Sequence, residues 1–245
     1  VSLAVNGHLI IFDAGTGMRD LGLLIQQHGI RSATLCLSHG HYDHVIGLPF
    51  FLPLWNPEFN LHIFAGRPYP YENMRDFMER CLFAPPLFPV PLRDLKATLH
   101  FTDIEAGQTF ELMHQVHLKT IALNHPGGSI GYRLEAGQRS VCYITDHDHA
   151  DTAITAQLTE FVYGTDVLIY DATFTDEEYP LYKGWGHSTW QEGVRLLQNA
   201  GAKQLALYHH SPEHTDEVLA HIEKTARNLA QNVCIARQGM TICIE

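Results

Sequence analysis

Six consecutive residues, His39-Gly40-His41-Tyr42-Asp43-His44, constrain this chain more than anything else in its 245 residues. Three imidazoles and a carboxylate follow directly on the apolar run 34–37, which reads as a short buried strand. In an extended loop alternate side chains point the same way, so His39 and His41 can grip one ion. Asp43 and His44 then face a neighbouring ion. Imidazole together with carboxylate suits zinc, and accepts manganese or iron.

Further ligand-type residues recur where strands are expected to end. His125 follows the run 121–124, Asp146 follows 141–145, and His209 follows 204–208. In layered α/β folds, sites collect at the carboxyl ends of strands. Four strand ends carrying metal-ligand chemistry argue for one centre and against scattered surface histidines.

The rest of the chain fits such a fold. Residues 2–5 and 9–12 read as a hairpin about Asn6-Gly7, a pair suited to a tight primed turn. Residues 18–28 read as a helix stopped by Gly29, and 71–82 as another. Strands are expected at 61–65, 131–135, 167–170, 234–235 and 241–244, with a hairpin turn at 136–139. Residues 188–200 read as a helix in which Ser188 and Gln191 have the spacing of a capping box. Residues 215–231 carry an apolar stripe at Val218, Leu219, Ile222 and Leu229. One α/β domain over residues 1–245 accounts for this alternation. The chain opens at Val1 in strand-like sequence, so further strand residues are expected upstream. Residues 67–100 include Pro85, Pro86, Pro89 and Pro91, which exclude regular structure locally. A lid or pocket wall, a packed surface loop and an oligomer contact all remain open for this insert, the last in a homodimer.

Composition narrows the partners. Apolar residues make up 45% and charged residues 18%, as in an ordinary globular protein, and no run is long enough to span a bilayer. The formal charge is −11, and the 16 Lys and Arg form no basic stripe. That balance leads us to expect a small phosphoester substrate, no long nucleic acid and no membrane partner. Five cysteines without a CxxC pair fit reduced thiols and a cytoplasmic protein.

The run HGHYDH resembles the HxHxDH signature of the metallo-β-lactamase superfamily, and the likeness extends from Phe12-Asp13-Ala14-Gly15 to Tyr208-His209-His210-Ser211. It implies a four-layer αββα sandwich and two divalent ions. By motif and order, His39, His41 and His125 correspond to the ligands of one ion. Asp43, His44 and His209 correspond to those of the other, Asp146 to the bridging carboxylate, and Asp13 to an orienter of ligands. The segment 167–174 is similar to the HEAT motif of the ribonuclease Z branch, with Tyr170 for its His and Asp171 for its Glu. Gly186-His187-Ser188-Thr189 is similar to that branch's later GHS(S/T) motif. This resemblance implies that Asp171 orients His187, and that His187 stabilises or protonates the scissile phosphate.

The branch's tRNA-gripping arm falls between the positions of His125 and Asp146, where this chain has only about twenty residues, enough for a hairpin. Residues 47–51 and 88–90 look more like a bacterial group related to cyclic-nucleotide phosphodiesterases. The resulting expectation is a phosphodiesterase acting on a small diester or cyclic nucleotide. A hydroxide bridging the two ions would attack phosphorus, with Asp43 orienting it and His187 and Asp171 assisting. A lactonase or other ester hydrolase is one alternative, and a non-catalytic metal-binding sensor or biosynthetic protein is another. Trp185, Tyr182 and Phe174 could stack on a base, or serve only as core or surface cover.

Overall fold

A computed structural model describes residues 1–244 and divides the chain into two compact units, Val1–Ile104 and Glu105 onward. In the first unit, β1 (Ser2–Val5) and β2 (His8–Phe12) form the antiparallel hairpin expected at Asn6-Gly7, where φ is 50° and 80°. Helix α1 (Met18–Gln27) leads to β3 (Ser32–Leu37), and Gly29 at φ 63° ends the helical path. Short α2 (Tyr42–Val45) follows, then β4 (Asn60–Ala65), α3 (Met74–Phe77) and β5 (Thr98–Asp103). The sheet order is β1-β2-β3-β4-β5, parallel from β2 onward.

Alternate strand positions Ile11, Leu35, Leu37, Leu61 and Ile63 share one core with Met18 and Ile25 of α1, Phe51 and Phe59. Each of these buried side chains contributes about 1.5–3 kcal/mol, and together they hold the helix on the sheet. The insert is built into this core through Met74, Phe77, Met78, Leu82, Phe83 and Leu92, while Tyr69 and Leu87 stay exposed. Instead of a helix over 71–82, α3 covers one turn and passes into a π-turn (Met78–Leu82). The amide of Phe83 reaches back to Met78 O at 2.8 Å, just before the prolines.

The second unit begins as an antiparallel meander of β6 (Thr109–Met113), β7 (Val116–Leu123), β8 (Ser129–Ala136) and β9 (Arg139–Ile144). It continues through α4 (Thr152–Phe161), β10 (Val167–Asp171), α5 (Tyr179–Tyr182), α6 (Trp190–Ala200), β11 (Gln204–Tyr208), α7 (Asp216–Leu229) and β12 (Val233–Ile235). Strands β9 to β12 are parallel neighbours, so each link between them carries a helix. Leu168, Tyr170, Leu205 and Leu207 pack against Val194, Leu197 and Ile222 of the helices.

Helix α6 is capped one residue later than expected. Thr189 accepts from the amide of Glu192, because the Ser188 hydroxyl is taken by Tyr170 and His149. No strand forms over residues 241–244. Among the described residues no helix is long and apolar enough to cross a membrane.

Candidate metal centre

In the first unit the donors are fixed by a buried aspartate. Asp13 leaves β2 with φ 56°, a left-handed conformation that Asp tolerates better than most residues. Its carboxylate accepts from Ser38 N at 2.7 Å, from Ser38 Oγ at 2.8 Å and from His44 Nδ1 at 2.7 Å. Burial alone would raise the Asp13 pKa, but the neighbouring His44, then His39 and the Ser38 amide, hold it below the ordinary aspartate value. The single Ser38 proton goes to the charged oxygen, so Ser38 Oγ accepts from His39 Nδ1 at 3.0 Å. His39 and His44 thus both carry their proton on Nδ1, and each presents Nε2 as a lone pair.

The His39 ring centroid lies 4.4 Å from His41 and 4.3 Å from His44, and Asp43 Oδ2 is 3.2 Å from His44 Nε2. His41 and Asp43 are exposed, whereas His39 and His44 are buried. Gly47 makes the close approach to the Asp13 loop possible: its amide donates to Ala14 O at 2.8 Å, and an added Cβ would stand 2.0 Å from Gly15 O. Ala14 N in turn donates to His44 O at 2.7 Å, which sets the histidine segment on that loop.

In the second unit the donors leave the carboxyl ends of four strands of one sheet. His125 follows β7, Asp146 follows β9, Asp171 closes β10 and His209 follows β11. Asp146 and His209 have φ of 49° and 56°. His125 donates from Nδ1 to Gly186 O at 2.8 Å, which leaves Nε2 as a lone pair 3.6 Å from Asp146 Oδ2. His209 Nε2 is 3.5 Å from Asp146 Oδ1, and Thr145 Oγ1 donates to that same oxygen at 2.7 Å.

Asp171 is fully buried. It accepts from His187 Nδ1 at 3.0 Å, from the amide and hydroxyl of Thr173 at 3.0 and 2.7 Å, and from the His147 amide at 3.2 Å. His187 stacks on His209 with centroids 5.1 Å apart and keeps 19% of its side chain exposed. Burial alone would lower the His187 pKa. The hydrogen bond and charge of Asp171, with Asp146 behind, override this and raise it. Ligand atoms of Asp146, Asp171, His187 and His209 all lie within 4.8 Å of one another.

These donors fit divalent cations. His39, His44 and His125 are held by hydrogen bonds at Nδ1 with Nε2 left as ligand, and carboxylate oxygens stand beside His44 and His125. Strand alternation does not reveal His147, which lies beside Asp146. Its Nδ1 accepts from the Asn124 amide at 3.3 Å while its own amide holds Asp171, so it ties together the ends of β7, β9 and β10. Burial pushes its pKa down to about 4, and the ring stays neutral. The adjacent Asp-His-Asp-His lettering hides this, because the bond depends on a non-adjacent strand.

Comparison with known proteins places this geometry in a family. The family described as "Beta-lactamase superfamily domain" matches residues 8–210. Ribonuclease Z of Pyrococcus furiosus is 24% identical over 88% of this chain and 81% of its own. Among solved structures, a diphosphatase of the PhnP family is 21% identical with TM-score 0.70, covering all of this chain and 83% of its own. Human tRNase Z, short form, is 22% identical with TM-score 0.67, covering all of this chain and 91% of its own. Both show the metallo-β-lactamase fold. The ribonuclease Z match overturns the expectation of a small phosphoester partner and no long nucleic acid, since that relative is a nuclease of RNA by name. The expectation averaged charge over the whole chain, whereas bound cations set the field locally. Nor does the short span from His125 to Asp146, filled by β8 and β9, exclude RNA by itself. The chain belongs to the β-lactamase superfamily, as a metal-dependent hydrolase of the metallo-β-lactamase fold.

Proposed function

We propose that this protein hydrolyses phosphodiesters, those of RNA included, with two zinc ions. The family resemblance assigns His39, His41 and His125 to one ion and Asp43, His44 and His209 to the other, with Asp146 shared. The observation that carries the phosphodiester reading is the buried Asp171–His187 pair at 3.0 Å, beside Asp146 and His209. Two divalent cations, when bound, supply an acidified water and positive charge for the phosphoryl oxygens.

The chain's own residues do the rest. Asp171 accepts from His187 Nδ1 and favours the doubly protonated ring, so that Nε2 can donate to the departing oxygen. Asp43, exposed beside His44, orients the attacking water. Asp13 and Ser38 keep His39 and His44 in the ligating tautomer. The cysteines are all free thiols, which suits a cytoplasmic location.

Metal-loaded protein assayed on bis-p-nitrophenyl phosphate, a short RNA and a lactone tests this reading. Both diesters should turn over and the lactone should not. His187→Ala should slow diester hydrolysis by about 10²–10⁴-fold while leaving metal content intact. Turnover of the lactone alone would replace this reading with a carboxylic ester hydrolase.

A further inference from the structure

Just before His187, Lys183 and Trp185 are exposed side chains that the chemistry above does not use. Lys183-Gly184-Trp185-Gly186 is tied down through its glycines. The Gly184 amide donates to Asp148 Oδ2 at 2.7 Å, and Gly186 O accepts from His125 Nδ1 at 2.8 Å. Asp148 is itself held by Tyr179 OH and by the Ala150 amide. With the glycines bonded inward, Lys183 and Trp185 project outward from a fixed backbone. Trp185 is 63% exposed although it is among the largest apolar side chains in the protein.

The indole is not isolated from the chemistry. It meets Tyr182 edge to face at 5.3 Å; Tyr182 stacks on Phe174 at 4.5 Å and 3°; and Phe174 meets His187 at 6.1 Å. Trp185 is two residues from His187, so their Cα atoms are within about 7 Å, close to one nucleotide of backbone. Tyr163 is also exposed in this unit, but it precedes β10 at the opposite end of the strands. Lys183 makes no hydrogen bond or ion pair among the described residues. It lines a cleft of about 300 Å³ with Asn124, His125, Pro126, Gly186 and Asp148, whose carboxylate is already engaged by the Tyr179 hydroxyl and the Gly184 and Ala150 amides. The Lys183 ammonium therefore has room to meet an anion in that cleft, beside His125.

We propose that Trp185 is the stacking platform for the nucleobase on the leaving-group side of the scissile diester, with Lys183 meeting that nucleotide's phosphate. The side follows from His187, which faces the departing oxygen in the phosphodiesterase reading on which this inference rests. Aromatic faces accept any base, so the platform selects for a base-bearing substrate without reading sequence.

Binding of AMP and of ribose 5-phosphate to the metal-loaded protein, measured by calorimetry, tests the proposal without turnover. AMP should bind about tenfold more tightly than ribose 5-phosphate. Trp185→Ala should erase that preference and leave ribose 5-phosphate unchanged, and Trp185→Phe should restore most of it. Lys183→Gln should weaken both ligands equally. A preference that survives Trp185→Ala, or is absent from the wild type, overturns the platform, and an inert Lys183→Gln overturns the phosphate contact. If the base preference depends on Trp185 but no diester is hydrolysed, the platform stands and the phosphodiesterase reading falls. If diesters are hydrolysed with no role for Trp185, the reverse holds.

Discussion

Gly186→Ala gives a sharp test of how His125 is aimed. At φ 90°, an added Cβ would stand 2.1 Å from His125 Nδ1, 2.4 Å from Pro126 Cδ and 2.8 Å from His125 Cε1. Ordinary contacts are about 3.5 Å or more, so the ring or the loop must move by more than about 1 Å. The Nδ1–H to Gly186 O bond at 2.8 Å cannot survive that shift. Its loss costs about 1 kcal/mol, and the left-handed alanine about 1–2 kcal/mol more. We expect a loss of roughly 2–3 kcal/mol in stability, and metal affinity lower by about 10–100-fold as His125 loses its orienting partner. Gly184 supplies the control: its φ is 88°, yet nothing lies within 4 Å of its added Cβ. Gly184→Ala should therefore show the backbone strain alone and keep normal metal affinity. Competition with a chromophoric chelator gives the affinity, and denaturant unfolding of the metal-free proteins gives the stability. Equal metal affinity in the two variants would refute the claim that the Gly186 carbonyl aims His125.

Four further outcomes are expected. Stripping metal with a chelator should lower Tm, and restoring zinc to about 100 times its Kd should return roughly 2.7 kcal/mol; a Tm blind to metal would contradict the donor sets. Thr189→Ala should cost about 1 kcal/mol through loss of the α6 cap. Ser188→Ala should cost about 1–3 kcal/mol, because it strands the buried Tyr170 hydroxyl; both are read by urea unfolding. Burial would raise the Asp166 pKa, but Lys203, the Ser140 amide and Arg139 hold it below its ordinary value. Its contribution is therefore full above the unfolded aspartate pKa of about 4 and is lost as pH falls through the folded value. Asp166→Asn should lower Tm at pH 7 and flatten the acid limb below pH 4, and an unchanged limb would refute this.

Much of the scaffold was legible because it is written in local chemistry. Asn6-Gly7 specifies the first hairpin, Gly29 the end of α1, and the apolar runs before His39, Asp146 and His209 their strands. What escaped depends on distant partners. Strands β5 and β6 are mixed in polarity and carry no clean alternation, and α4 opens on Asp151 with a threonine-rich, weakly amphipathic face. The α6 cap falls one residue later than the capping-box spacing suggests, because Ser188 and Thr189 look equivalent in sequence and only Tyr170 and His149 decide between them. Residues 241–244 have strand-like letters, but β12 already ends the sheet at Ile235. Composition and spacing do not reveal how Asp171 is held, because the bonds from His187 and His147 that join the local one from Thr173 come from separate segments. His147 reads as a bystander until Asn124 is brought beside it.

Asp13, Asp146 and His209 all hold left-handed backbones that glycine would occupy with less effort. At Asp13 and Asp146 the carboxylate repays that strain, because glycine would strand the buried donors of Ser38, His44 and Thr145. At His209, whose ring keeps part of its surface in solvent, selection for a sturdier molecule and selection for cation chemistry pull in opposite directions, and a descendant relieved of catalysis could drift to glycine there and gain heat tolerance. Thermal robustness in such a lineage would then signal lost activity.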